Sequence, residues 1–213
     1  MRTKTLLSRY AVAASLALAL GGSGLAQSAY TIDSSHSSAQ FSVRHMMISN
    51  VKGEFTNVTG SIVHDANNPA ASKVEASIDA STINTREPKR DAHLKSADFF
   101  DTAKFPVLAF KSKKVWKDGQ QLKVQGDLTI RGVTREVVWN VEGPAPETKD
   151  PWGNVRLGAT ATTKISRKDW GLTWNQTLEA GGVLVGDEVA ITLDIEAVKS
   201  APLTSRTSQS ATH

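Results

Sequence analysis

The side chains able to do chemistry are few in this sequence, and their spacing excludes more than it offers. No cysteine occurs in the 213 residues, which removes thiolate nucleophiles, thiolate-bound zinc, disulfides and acylation of an N-terminal cysteine. His36, His45, His64 and His93 lie 9, 19 and 29 residues apart. None forms the HxH or HExxH spacing that turns two imidazoles toward one ion, so a metal site would need distant segments, and none is assigned. Ser34, Ser35, Ser37 and Ser38 flank His36, with Asp33 beside them. Read as extended chain, such neighbours point to opposite faces, so the run is not expected to act as a Ser–His–Asp relay. No Gly-x-Ser-x-Gly elbow occurs either. Gly181, Gly182 and Gly186 precede no Gly-Lys-Ser/Thr and read as turn glycines rather than a phosphate loop. No catalytic residue, metal or cofactor is assigned, and a binding protein is expected rather than an enzyme.

The elements that would position a binding site repeat with period two. Val74, Ala76, Ile78 and Ala80 alternate with Lys73, Glu75, Ser77 and Asp79. Leu122, Val124, Leu128 and Ile130 alternate with Lys123, Gln125, Asp127 and Thr129. The same rhythm runs through 137–141, 157–165 and 189–197, and more weakly through 39–48, 53–64 and 107–116. Such patterns mark half-buried antiparallel strands. Asn67-Asn68-Pro69, Asp118-Gly119, Arg131-Gly132 and the stretch Gly143 to Gly153 supply the turns. Residues 86–104 break the rhythm and predict a short helical excursion with Ser96 as an N-cap; Ser166 is expected to cap a second turn carrying Asp169. The short links favour an all-β up-and-down meander, and about eight antiparallel strands must close, split into a sandwich or leave edges exposed. The inward set includes Ala76, Ala80, Ala159, Ala161, Ala197 and Gly126, which leaves space. A ligand cavity and a narrow, filled barrel both remain open on this pattern.

Composition bounds the rest. Hydrophobic residues make up 39% and charged residues 22%, an ordinary globular balance. Residues 1–26 read as a secretory signal: Arg2, Lys4 and Arg9, an apolar run over 10–20, then small residues before Gln27. That run is about half of what a membrane span needs. Residues 27–199 form the domain, and the polar tail 200–213 has no apolar period and is expected to be disordered. The formal charge is +4, but three cations lie in the leader, leaving 22 Lys and Arg against 21 Asp and Glu. A body this close to neutral argues against nucleic acid as a partner. The expected location is periplasmic or secreted.

Four segments carry a family resemblance. They are Asp33-Ser34-Ser35-His36-Ser37 with Phe41 to Phe55; Arg90-Asp91-Ala92-His93-Leu94-Lys95-Ser96-Ala97-Asp98-Phe99-Phe100-Asp101 running into Lys104-Phe105-Pro106; Gly126 to Thr134; and Arg167 to Asn175 followed by Leu178 to Val189. Over roughly 30–198 the chain resembles the YceI-like family. The resemblance implies a lipocalin-like barrel with a short helical excursion and an apolar lumen for a long amphiphile, a polyisoprenoid or isoprenoid quinone. It supplies no catalytic residue.

The lumen expected from shared phase and aromatic content comprises Phe41, Val43, His45, Met47, Phe55, Ile78, Phe110, Leu128, Trp139, Ala161 and Trp170. His45, in phase with Phe41, Val43 and Met47, is either a donor to a quinone carbonyl or head group, or a core histidine bonded to backbone. Arg90, Asp91 and His93 are expected at the barrel's mouth, where Arg90 and His93 either meet a head group or tie the loop down; Arg167 beside Asp169 carries the same two readings. The expected function is an exported carrier of an isoprenoid lipid or quinone. Transient contact with a membrane or membrane protein goes with it, and the oligomeric state is open, a dimer included. The alternatives are an enzyme acting on a bound lipid and a stress-related structural barrel with a filled core.

Overall fold

The structure is a computed structural model, described over residues 27–179 and 181–200. The leader 1–26 and the tail beyond Ser200 lie outside the described residues.

The strands are β1 (Ser28–Ile32), β2 (Ser38–His45), β3 (Ser49–Phe55), β4 (Val58–His64), β5 (Lys73–Asp79), β6 (Val107–Asp118), β7 (Gln121–Ile130), β8 (Val133–Glu142), β9 (Thr148–Lys149), β10 (Val155–Ser166) and β11 (Val185–Lys199). All pairings are antiparallel, and the ring β1–β4–β5–β6–β7–β8–β10–β11 closes on β1 through Tyr30 opposite Lys199. Alternation explains the closure. On β5 the apolar Val74, Ala76 and Ile78 turn in while Lys73, Glu75 and Ser77 stay exposed, and each partner strand repeats the pattern. Closure leaves one face of every strand facing the interior.

Two strands are bent. The chain leaves β1 at Ile32, turns through Asp33–Ser37, and resumes as β2 further along the same partner, β11. Likewise β3 and β4 are separated only by Thr56 and Asn57, which splits the run expected over 53–64. The run expected over 39–48 also ends early, at His45, because Met46 and Met47 adopt φ of 48° and 62° and reverse the chain into β3. Left-handed backbone is the territory of Gly and Asn, so two methionines gave no turn signal.

The ends of the barrel differ. At the turn end lie the β4–β5 link, the β6–β7 hairpin and the link from β8 to β10. At the helix end lie the β2–β3 tip, the β7–β8 turn, and the excursion between β5 and β6 that contains α1 (Pro88–Lys95). Glu87, not Ser96, caps the start of α1, its side chain accepting from the Lys89 amide at 3.0 Å. Pro88 follows at the first position, where a missing N–H costs nothing. Ser96 closes the helix instead, donating from its hydroxyl and its amide to the His93 carbonyl. Ser166 does precede a single 3-10 turn over Arg167–Trp170, without a side-chain cap bond.

Candidate functional site

The inward faces enclose a cavity of about 550 Å³ that runs from one end of the barrel toward the other. Its wall includes Phe41, Val43, Phe55, Ile78, Phe110, Leu128, Trp139, Ala161 and Trp170, nine of the eleven positions expected from phase and aromatic content. Phe41 lies against Phe55 with centroids 5.9 Å apart, and Phe110 meets Trp139 edge-on at 6.0 Å. Gly126 makes room for this pair: a Cβ there would stand 2.7 Å from the Phe110 ring and 2.3 Å from the Lys111 carbonyl oxygen. The interior is hollow rather than filled. Ala161, Ile191, Leu193 and Ile195 point inward yet stay only half-buried, because space rather than side chain faces them.

His45 and Met47 are not part of the wall. β2 lines the cavity as far as Val43; beyond it the β2–β3 tip projects past the barrel, with His45 opposite Val185 and Ser49. Met47 is 55% exposed in the turn, next to Ile48 at 75%.

The three residues expected to meet a head group are engaged with protein. Arg90 donates from Nε to the Thr85 hydroxyl and from Nη2 to the Thr85 carbonyl, both at 2.8 Å, and Asp91 accepts from the Thr85 amide at 2.8 Å. His93 bonds Asp98 through Nε2 at 2.9 Å and stands edge-on to Phe99 and Trp174. Neither Arg90 nor His93 lines the cavity. Arg167 does line it, buried at the helix end, but its five N–H donors all have acceptors: the carbonyls of Gly186, Leu172, Trp174 and Val185, and Asp187 Oδ1. Burial lowers its pKa and Asp187 opposes that shift. It is the post that ties Leu172 and Trp174 to Val185, Gly186 and Asp187.

The helix end is closed and the turn end is not. At the helix end the lining residues Phe99, Arg167, Trp170 and Leu172 are buried, and Arg131 latches the segments together by donating to the carbonyls of Gly171 (2.6 Å) and Ala97 (2.7 Å). The exposed lining residues are Ala66, Lys117, Gln120 and Gly143, all at the turn end, and Gln40 on β2, whose amide is tied to Ser38 and Asp194. The mouth therefore lies opposite the segment where sequence reasoning expected it.

Sequence reasoning missed the residues of that mouth. Lys117 turns inward because a bulge between Ser112 and Lys114 shifts the parity of β6, placing Val115 opposite Val124 and Lys117 opposite Leu122. Leu94, Phe99 and Phe100, which line the closed end, were hidden in a polar stretch. Trp139 Nε1 is the one buried side-chain nitrogen or oxygen among the described residues without a hydrogen-bond partner, whereas Trp170 Nε1 donates to the Leu128 carbonyl at 3.1 Å.

On the outer surface, Asp33, Ser35 and His36 do meet, contrary to the alternation argument, because the segment is a turn and not a strand. Ser35 Oγ lies 2.6 Å from Asp33 Oδ1 and 3.0 Å from His36 Nδ1, and the same Nδ1 lies 2.9 Å from Asp33 Oδ2. A relay needs the acid and the nucleophile on different ring nitrogens, so this is a turn lock. Arg156 fills the centre of the neighbouring acidic cluster, reaching Asp33 at 2.7 Å, Asp150 at 2.8 Å and Glu196 at 2.6 Å. The guanidinium stands where a cation bound by Asp33, His36 and Glu196 would stand. Hydrogen bonds from Ser35, Arg156 and His36 hold the Asp33 carboxyl well below its ordinary pKa, and Arg156 and Asn154 do so for Asp150.

Comparison with known proteins places this geometry in context. The family model described as "YceI-like domain" matches residues 30–197. A UPF0312 protein of Staphylococcus aureus (strain N315) is 39% identical over 160 residues, 75% of this chain and 91% of its own. The crystal structure of a Campylobacter jejuni YCEI protein is 31% identical, covers 74% of this chain and 90% of that one, and superposes with a TM-score of 0.62. A polyisoprenoid binding domain from Saccharophagus degradans, 15% identical, shares the fold with a TM-score of 0.59 over 80% of this chain and 98% of its own.

Proposed function

The chain belongs to the YceI-like domain family, and from that premise we propose that it is an exported, non-catalytic carrier that sequesters a long isoprenoid lipid or isoprenoid quinone in its lumen. The observation that carries this reading is the hollow apolar interior, about 550 Å³ in volume and closed at one end. An apolar chain is bound by removing it from water, at about 0.8 kcal/mol for each buried methylene before ordering costs. Ten methylenes give about 8 kcal/mol on that scale, so no reaction is needed for tight capture. The fold shared with a polyisoprenoid binding domain supports the ligand class. Export rests on the leader, and loading and release rest on transient contact with a membrane or membrane protein, since the free ligand is insoluble.

Protein purified from its own host tests the reading. Native mass spectrometry followed by solvent extraction is expected to release an intact isoprenoid in near-stoichiometric amount, and N-terminal sequencing of exported protein is expected to begin near Gln27. Folded protein that yields no lipid refutes the carrier. A mature chain that retains Met1 refutes cleavage.

A further inference from the structure

At the mouth, the last inward positions of two strands break the apolar rule. The inward row on β4 runs Val58, Ile62, His64, and the row on the outer half of β6 runs Val115, Lys117. Gln120, in the β6–β7 turn, joins them on the cavity wall. Three other polar side chains at this end are occupied. Asp65 accepts from the amides of Asn67 and Asn68, Lys123 bonds Asn140, and Glu147 pairs with Lys199. Among the described residues, His64, Lys117 and Gln120 have no side-chain hydrogen bond or ion pair with protein, and Asp118 leans toward Lys123 at 3.9 Å. A lysine ammonium and a glutamine amide bring several N–H donors to the β6–β7 side of the rim, and the His64 imidazole stands on β4, two strands away across β5.

We propose that this rim is the head-group site and that it takes an anionic, oxygen-rich group of the phosphate class, the tail lying inward toward Phe99 and Trp170. The proposal rests on the carrier reading and adds orientation and charge to it. The wall supplies affinity for any apolar chain of suitable length. The rim selects among heads, because an ammonium donating to a charged acceptor makes a stronger hydrogen bond than one donating to a hydroxyl.

Geranylgeranyl phosphate and geranylgeraniol share a tail and differ in charge, so delipidated full-length mature protein is titrated with each, and with inorganic phosphate alone. The wild type is expected to bind the phosphate at least tenfold tighter than the alcohol, a difference of about 1.4 kcal/mol. Lys117→Gln combined with His64→Ala is expected to bring the two affinities within about twofold without changing that for the alcohol. Arg90→Ala, at the closed end, is expected to leave the ratio unchanged. Equal wild-type affinities, or a ratio that survives the double variant, overturn the head-group site while leaving the carrier intact. Saturable micromolar binding of inorganic phosphate alone overturns it in favour of a free-anion site. Failure of the wild type to bind either amphiphile removes the carrier reading itself. Melting temperatures of the variants separate loss of selectivity from loss of fold.

Discussion

Ala161→Trp puts the hollow interior to a direct test. Ala161 sits mid-strand on β10, opposite Val141 on β8 and Leu193 on β11, and its methyl faces the cavity. An indole placed there buries about 150–250 Å². At about 25 cal/mol per Å² that is about 4–6 kcal/mol of apolar transfer, an upper bound, against at most about 2 kcal/mol of rotamer entropy. In a filled barrel the same change is overpacking and costs about 1–3 kcal/mol. For a chain of this size each kcal/mol moves the melting temperature by about 2–4 °C. The hollow lumen therefore predicts a delipidated variant at least as stable as its parent, with the extractable lipid sharply reduced because the indole stands across the middle of the ligand's path. Differential scanning calorimetry and lipid extraction on the same preparations read both quantities. A melting temperature lowered by more than about 5 °C, or a full complement of lipid in a stable variant, refutes the reasoning.

Three further outcomes are expected. Arg167→Met leaves the carbonyls of Leu172 and Trp174 without their buried donor and Asp187 with Lys168 as its remaining partner, and should cost about 3–5 kcal/mol in a urea titration, with Arg167→Lys in between. Gly126→Val drives a branched side chain against the Lys111 carbonyl and the Phe110 ring and should lower the melting temperature even though the added group is apolar; a neutral result would mean that strand β6 yields easily. The lowered pKa values of Asp33 and Asp150 mean that their contribution is full above the unfolded-chain value of about 3.9 and is lost as pH falls below it, so the urea midpoint should drop between pH 5 and pH 2. Asp33→Asn with Asp150→Asn should start lower at pH 7 and lose less over that interval; an unchanged slope would show that other carboxylates set it.

Most of the lumen was legible because a side-chain period of two is a property of the backbone: once Phe110, Leu128 and Trp139 lie on the apolar phase of their strands, closure sends them inward. What escaped were places where the period is interrupted without a compositional mark. The turn at Met46 and Met47 carries no Gly, Asn or Pro, so His45 and Met47 were counted as strand. The bulge after Ser112 adds one residue and reverses the parity of everything beyond it, which concealed Lys117. Asp33, Ser35 and His36 were judged as strand neighbours and are turn neighbours. Arg90 and His93 were assigned to a head group, with a loop tie as the alternative, and they bond Thr85 and Asp98 instead; no local pattern tells which end of a barrel is plugged, since that depends on Phe99 and Phe100 folding back from a stretch that reads as polar. Ser96 shows the same ambiguity on a smaller scale, since a serine that bonds backbone serves either end of a helix.

A barrel that forgoes packing along its axis makes occupancy part of its own persistence. Whatever fills the lumen binds the folded chain and not the unfolded one, so a ligand at a hundred times its dissociation constant adds about 2.7 kcal/mol to stability. Against the 5–15 kcal/mol typical of a domain, that lowers the globally unfolded fraction by about a hundredfold. Proteases that act on transiently opened chain would then clear unloaded molecules faster than loaded ones. Turnover alone would tie the standing amount of this protein to the supply of its cargo, a coupling that pulse proteolysis of loaded and delipidated samples measures directly.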